Sequence, residues 1–347
     1  MHTGETHLPE GALESAAAVT PGLARAARAE LWRHLPAWMF FVYAVLLLNT
    51  ELTNFHPARG DLAHTIVFPL SVFVLFQLVR ANAGVASRRL LLTSLALAFG
   101  LPLVVLAVHQ PSPLDVSQLL RVYEWSNFLW AGLLIAHAWA HQRSHVALFF
   151  GVGLVYGACL ENGGILLGFF HETNLTDTRV KPFVAPVATM VGWSVVLLMA
   201  TFVTWELRKR LGWLRRSAAL SALAVGTFAT MLDLQIDPIA TAAGCWVWHE
   251  SLPGWFHGVP LVNFIAWMCA LVPFAYVLFR VQERRGLADG AAWDVGALEE
   301  LLAWTPAALV LAALSFIGVT LVVEGANGPS WTLLNQFTLG VVRSVGL

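Results

Sequence analysis

The sequence is poor in charge. Asp, Glu, Lys and Arg make up only 12% of its 347 residues, against 58% apolar residues, far below the roughly one-quarter charged of an ordinary soluble domain. Acids and bases nearly cancel, with a formal net charge of −1, so nothing in the chain attracts nucleic acid. Cysteine is scarce too. Cys159, Cys245 and Cys269 form no CxxC pair and lie in or beside apolar runs, which offers neither a zinc site nor a disulfide framework. The segment Met1–Glu30 lacks the compact apolar core of a signal peptide. It reads as a cytosolic tail, interfacial around Leu23–Leu31. No internal repeat and no long soluble linker is visible. Residues 1–35 are therefore read as the tail and 36–347 as one transmembrane domain.

What is there in abundance is apolar helix. Mean hydropathy is +0.69, and several runs approach the roughly 20 residues a spanning helix needs. The expected fold is all-α, a polytopic bundle of about nine or ten helices with the lipid bilayer as its partner. The expected spans are Pro36–Thr50, Leu62–Arg80, Leu90–His109, Arg121–His141, Val146–Phe170, Phe183–Leu207, Ser217–Gly244, Pro260–Arg280 and Leu301–Glu324. A shorter run, Trp331–Val345, is left open between re-entrant, interfacial and spanning. With the N-terminus in the cytoplasm, sixteen Lys/Arg fall on inner segments and four on outer ones, as the positive-inside rule asks.

That topology gathers most of the unusual polar residues on one side. Glu161 falls past the midpoint of an outward-running helix, and Asp233 and Asp237 in the outer half of another. Asn263 opens the helix that returns. His171 and Glu172, and His249 to His257, belong to the loops above; Glu51, Asn54, His56, Tyr123 and Glu124 lie on the same side. Intramembrane acids are kept by default for function, so a single site in the outer half of a cytoplasmic membrane is expected.

Asp233 and Asp237 share a helix face at i, i+4. Pro238 disfavours helix at Asp237, so a bend or break is expected there, which a cavity tolerates. The alternative is that one Asp caps the broken helix or pairs with Arg179 or Lys181. Glu161 has Gly157, Gly164 and Gly168 on its own side of the helix, where a helix or a flat ligand can approach. Trp246, Trp248, Trp255 and Trp267 are open to two readings: an interfacial belt, or indole faces that shelter a cation. His137, His141 and His145, at i, i+4 and i+8, have the spacing of a metal or haem site, yet no second ligand set accompanies them. The HxxHH clusters of di-iron membrane hydroxylases and desaturases do not occur.

The two polar stretches resemble the carotenoid biosynthesis membrane family that includes the carotenoid 1′-hydratases, gamma-carotene 1′-hydroxylase and bisanhydrobacterioruberin hydratase. One motif is Asp233-x3-Asp237-Pro238, then Gly244-x-Trp246-x-Trp248, then Gly258-x-Pro260-x2-Asn263-Phe264-x2-Trp267. The other is Glu161 ahead of Gly164 to Phe169, where the family has an acid before a TG-x-x-FG-like segment and this chain reads GGILLGFF. The resemblance covers about 146–285.

It implies addition of water to the terminal C1′–C2′ double bond of an acyclic or monocyclic carotenoid, through a tertiary carbocation, with no metal and no cofactor. Asp237 would be the acid, Asp233 or Glu161 the base, and Asn263 would orient water. Trp246, Trp248, Trp267, Gly164, Gly168 and His249 would bind substrate. Other carotenoid enzymes are candidate partners. The rivals are a carotenoid-binding subunit, a proton-coupled transporter with acids near mid-membrane, and a structural subunit of a membrane complex.

Overall fold

The computed structural model describes residues 29, 32–54, 116–172, 183–242 and 244–344 of the chain. The expected helices Leu62–Arg80 and Leu90–His109 lie outside these residues, as do His56, Arg179 and Lys181 and the side chains of Glu51, Asn54, Tyr123 and Glu172.

Two helices come first, α1 (Leu35–Asn54) and α2 (Val116–His141). A wider π-helical stretch over Val146–Val152 then leads into α3 (Gly153–Leu166). There follow α4 (Val187–Arg208), the single turn α5 (Gly212–Arg215), α6 (Ala218–Ala242), α7 (Leu261–Arg284), α8 (Val295–Glu324) and α9 (Pro329–Ser344). Among the described residues five helices are long and apolar enough to cross a membrane: Val146–Leu166, α4, α6, α7 and α8. The chain is an integral membrane protein. The helix α4 is buried on nearly all sides, as a helix apolar all round should be, against α1, α2, α3 and α6. The helix α8 is the opposite, with Val310, Leu311, Leu314 and Val322 exposed; in a bilayer such a surface faces acyl chains.

One end of the bundle is fastened by polar side chains. Arg208 closes α4, stacks over the Phe279 ring at 4.7 Å and donates to Asp289 Oδ1 at 2.9 Å. Gln282 donates to the same oxygen at 2.7 Å and accepts from the Trp205 indole at 3.1 Å. His145 Nε2 donates to the Ala291 carbonyl at 3.0 Å, and its ring stacks on Trp205 with centroids 5.3 Å apart. Asp294 caps α8 by accepting from the Ala297 N–H at 2.7 Å. This N-cap starts α8 six residues before the expected Leu301; the Asp in WDVGA was the available signal.

The histidine triplet is spent in this region. His137 Nε2 donates to the Arg33 carbonyl at 3.3 Å, and among the described residues no cluster of His, Cys, Asp and Glu is arranged to hold a metal.

The other end is made by two matching helix terminations. After α3, the Gly168 N–H bonds to the Ile165 carbonyl and the Phe169 N–H to the Gly164 carbonyl. After α6, the Gly244 N–H bonds to Thr241 and the Cys245 N–H to Ala240. Both are Schellman motifs, which require a left-handed residue: Gly168 has φ 80° and Gly244 φ 70°. Each turn releases a short strand. Strand β1 (Phe170–Glu172) pairs antiparallel with β2 (Trp246–Trp248), Phe170 opposite Trp248 and Glu172 opposite Trp246. Then β3 (Gly254–Phe256) folds back on β4 (Val259–Pro260) through His257 and Gly258, both at positive φ, the pattern of a two-residue hairpin turn.

The expected break at Pro238 does not occur: α6 runs through it to Ala242. Proline removes one N–H, leaving the Leu234 carbonyl without its helical donor, and so close to the helix end the remaining bonds and packing hold the turn. The short helix α9 takes in residues 331–344 of the run left open above, whose last residue lies outside the described ones. Its 16 residues reach about 24 Å, less than the roughly 30 Å hydrocarbon core. Glu324 grips Ser330 at both N–H and hydroxyl, each at 3.0 Å, and Leu333 packs with Phe169, Leu252 and Val262.

Two outcomes are expected. Asn162 accepts from the N–H groups of Val184 and Ala185, each at 3.0 Å, just ahead of α4. Asn162→Ala leaves both without that acceptor and lowers stability by about 1–3 kcal/mol, read from thermal unfolding in detergent; an unchanged unfolding temperature would remove Asn162 from this role. The second concerns His145, held below its ordinary range mainly by burial, with the Ala291 hydrogen bond opposing. A lowered histidine stabilises the fold above its unfolded value of about 6.5 and loses that contribution as pH falls through the folded value. Unfolding temperature should therefore drop below about pH 6.5, less steeply in His145→Gln; equal slopes would remove His145 from this role.

Candidate functional site

Below the paired strands lies a cavity of about 320 Å³. Its walls come from α3, α4, α6, α7 and α8 and the strands, with Tyr43 of α1 and Asn127 of α2. Glu161, Asp237, Asn263, Gly164, Trp246, Trp248 and Trp267 all face it. Three other residues singled out in the sequence do not. Asp233 sits just behind the wall, Gly168 caps α3, and His249 lies in the loop beyond β2. There the His249 main chain donates to the Phe169 carbonyl at 2.9 Å and its ring Nδ1 meets the Ser251 hydroxyl at 2.9 Å. Gly168 is a glycine because the turn needs positive φ, and His249 Nδ1 is engaged by Ser251; neither residue lines the cavity.

The polar centre is a three-residue unit. Asn263, in the first turn of α7, donates from Nδ2 to Asp233 Oδ2 at 2.8 Å and also to Asp237 Oδ2. Both aspartates are buried, Asp233 at 0% and Asp237 at 4% exposure, so one carboxamide serves two carboxyl groups stacked at i, i+4 on α6. Only Asp237 reaches the cavity. Asp233 holds Asn263 from behind.

The second acid lines the same cavity from α3. Glu161 is buried and accepts from the Trp193 indole at 2.7 Å, and it lies within electrostatic reach of both aspartates. Trp193 stacks on Trp267 with centroids 4.3 Å apart and planes 22° from parallel, which ties the α3 acid to the α7 wall. The glycines beside Glu161 make this possible. A Cβ on Gly157 would stand 2.4 Å from the Trp193 Cβ, and one on Gly164 would stand 2.7 Å from the Phe170 ring. Their open faces are filled by aromatic side chains of the same chain, not left for a flat ligand.

Trp246 is buried on the wall, and Trp248 donates to the Thr241 hydroxyl at 3.0 Å. Trp255, 61% exposed, has the position of an interfacial tryptophan.

Trp193, Asn127 and Thr189 were not picked out from sequence. Trp193 had a signal: a tryptophan in mid-helix beside Gly192, far from either interface. Asn127 and Thr189 line the cavity, 3% and 6% exposed, and among the described residues Asn127 Nδ2 and Thr189 Oγ1 have no hydrogen-bond partner. The site therefore offers two buried acids, aromatic side chains and spare polar atoms around one largely apolar space. That set can transfer a proton and stabilise a positive charge.

No solved structure matches the chain. A curated relative, the protein named NADH-quinone oxidoreductase subunit N 2 of Acidobacterium capsulatum, is 26% identical over 296 residues. The match takes in 84% of this chain but 55% of that protein, so the chain spans about half the length of the curated relative. The profile of the carotenoid biosynthesis proteins matches residues 124–331, more than half of the chain and inclusive of Glu161, Trp193, Asp233, Asp237, Trp246 and Asn263, and the chain belongs to that family.

Proposed function

We propose that this protein hydrates the terminal C1′–C2′ double bond of an acyclic carotenoid end group, with Asp237 and Glu161 as the acid and base. The carrying observation is the pair of buried acids lining one apolar cavity from two helices, Asp237 on α6 held by Asn263 and Glu161 on α3 held by Trp193. Asp237 donates a proton to C2′, and the alkene π electrons form the new C–H bond. The tertiary cation left at C1′ lies among Trp193, Trp246 and Trp267, whose faces stabilise positive charge. Water adds through oxygen to C1′, and Glu161 takes the surplus proton. Its return to Asp237 closes the cycle. The reaction is redox-neutral.

In this reading Asp233 is a positioning residue, because it holds Asn263 and does not reach the cavity. The site lies in the outer half of the cytoplasmic membrane, the orientation drawn from the Lys/Arg distribution.

A second reading follows from the curated relative, which is named as an oxidoreductase subunit. There the acids would pass protons through a membrane complex, as in the proton-coupled transporter considered above, and no carotenoid would be altered.

The deciding experiment uses membranes of a host that makes lycopene or gamma-carotene, with the protein present or absent, worked up without oxygen and with a chelator. The expected result is a more polar carotenoid heavier by one water. Unchanged pigment, or a strict need for oxygen or a nicotinamide, would reject the hydratase reading.

For Asp237→Asn, which keeps size and hydrogen bonding but removes the transferable proton, product per folded protein should fall about 10²- to 10⁴-fold. Insertion should be unimpaired, since losing a carboxyl group in the membrane does not hurt it. Near-wild-type product with a lower folding yield would make Asp237 a structural partner of Asn263 instead.

A further inference from the structure

We infer that the carotenoid reaches the acids sideways from the bilayer, through a portal between α3 and α8, and that its polyene body stays in that portal during the reaction. The inference rests on the carotenoid reading above. A cavity of about 320 Å³ is at the small end of ligand pockets, roughly 300–1,000 Å³. It holds an end group, not a polyene whose length is comparable to the roughly 30 Å hydrocarbon core. The remainder has to leave the cavity somewhere.

The α3–α8 side is where it can. On α8, Leu309, Ala312, Ala313 and Phe316 line the cavity at i, i+3, i+4 and i+7. On α3, Cys159, Gly163 and Leu167 line it at i, i+4 and i+8. Small residues occupy the middle of both stripes. Cys159 and Ala313 line the cavity and are both exposed, as residues at an opening in the wall would be.

The helix α8 meets this part of the chain at the π-helical stretch on one side of the gap. On the other it meets it where the Phe169 and Phe316 rings come together at 5.4 Å. Among the described residues nothing stands within 4 Å of where a Cβ on Gly163 would lie. That the cavity is built for a ligand is supported independently by Asn127 Nδ2 and Thr189 Oγ1, buried, unpartnered among the described residues and lining the same space. An apolar opening bordered by lipid-facing helix admits a hydrocarbon and excludes a charged substrate.

The test reads bound pigment separately from chemistry. Wild type, Gly163→Trp, Ala313→Trp and Leu314→Trp are purified from carotenoid-producing membranes, and carotenoid absorbance per folded protein is compared. Leu314 is exposed and outside the cavity lining, so it serves as the control. The two plugging variants should retain at least tenfold less pigment, while Leu314→Trp matches wild type.

In unmutated protein, labelling of Cys159 by pyrenyl-maleimide, located by peptide mass, should be slowed in carotenoid-containing membranes relative to carotenoid-free ones. Plugged variants that keep wild-type pigment, or labelling equal in the two membranes because lipid alone fills the gap, would overturn the portal. Pigment lost from the plugged variants, but never hydrated by wild type, would uphold the portal and reject the hydratase reading.

Discussion

A carboxyl group inside hydrocarbon finds no water to serve it, so the protein has to provide the donor. In this chain one carboxamide, Asn263, meets that demand for two aspartates at once. The consequence is geometric. The donor sits in the first turn of α7 and the acceptors one turn apart near the end of α6, so the two helices cannot slide or rotate past each other without stranding an acid. Their packing is among the most extensive in the bundle. The rest of the site is built outward from this fixed pair: Trp267 one turn on from Asn263, Trp193 stacked on Trp267, and Glu161 held by Trp193.

The two ends of the bundle divide the labour. One is closed by the Arg208–Asp289–Gln282–Trp205 network and by His145 on the loop before α8. Three of those four bonds, all but Gln282 to Asp289, join segments far apart in sequence and hold the helix ends together. The other end is closed by strand pairing and aromatic contacts over a cavity. Main-chain bonds fix the direction of the Trp246–Trp248 strand while leaving its indoles to line the space beneath. A helix in that place would have thrown the two tryptophans to different sides.

Much of this was legible in residue order. Apolar length predicted the helices, and the acids at i, i+4 with Asn263 after the return loop predicted a shared site. What escaped did so for identifiable reasons. Trp193 offers only a mid-helix tryptophan beside Gly192 as its signal, and its contact with Glu161 is what ties it to the site. The strands are two and three residues long, too short for alternation to register against noise. Pro238 was taken for a break because local rules weigh the lost N–H without knowing how few turns remain. Gly164 and Gly168 looked like room for a ligand. One gives that room to Phe170, and the other takes a backbone conformation that only the turn reveals.

The shared carboxamide also bears on how the chain enters its membrane. Synthesis runs from α6 to α7, and Asn263 is made 30 residues after Asp233. Until then α6 carries two acids with no amide to meet them; an Asp at the centre of a lone helix costs about 2.5–3.5 kcal/mol to insert, and less toward its end. As a solitary segment α6 is therefore a reluctant inserter for all its apolar length. The lowest-cost route is for α6 to wait at the insertion machinery until the start of α7 arrives, and for the two to pass into lipid together as a preassembled hairpin.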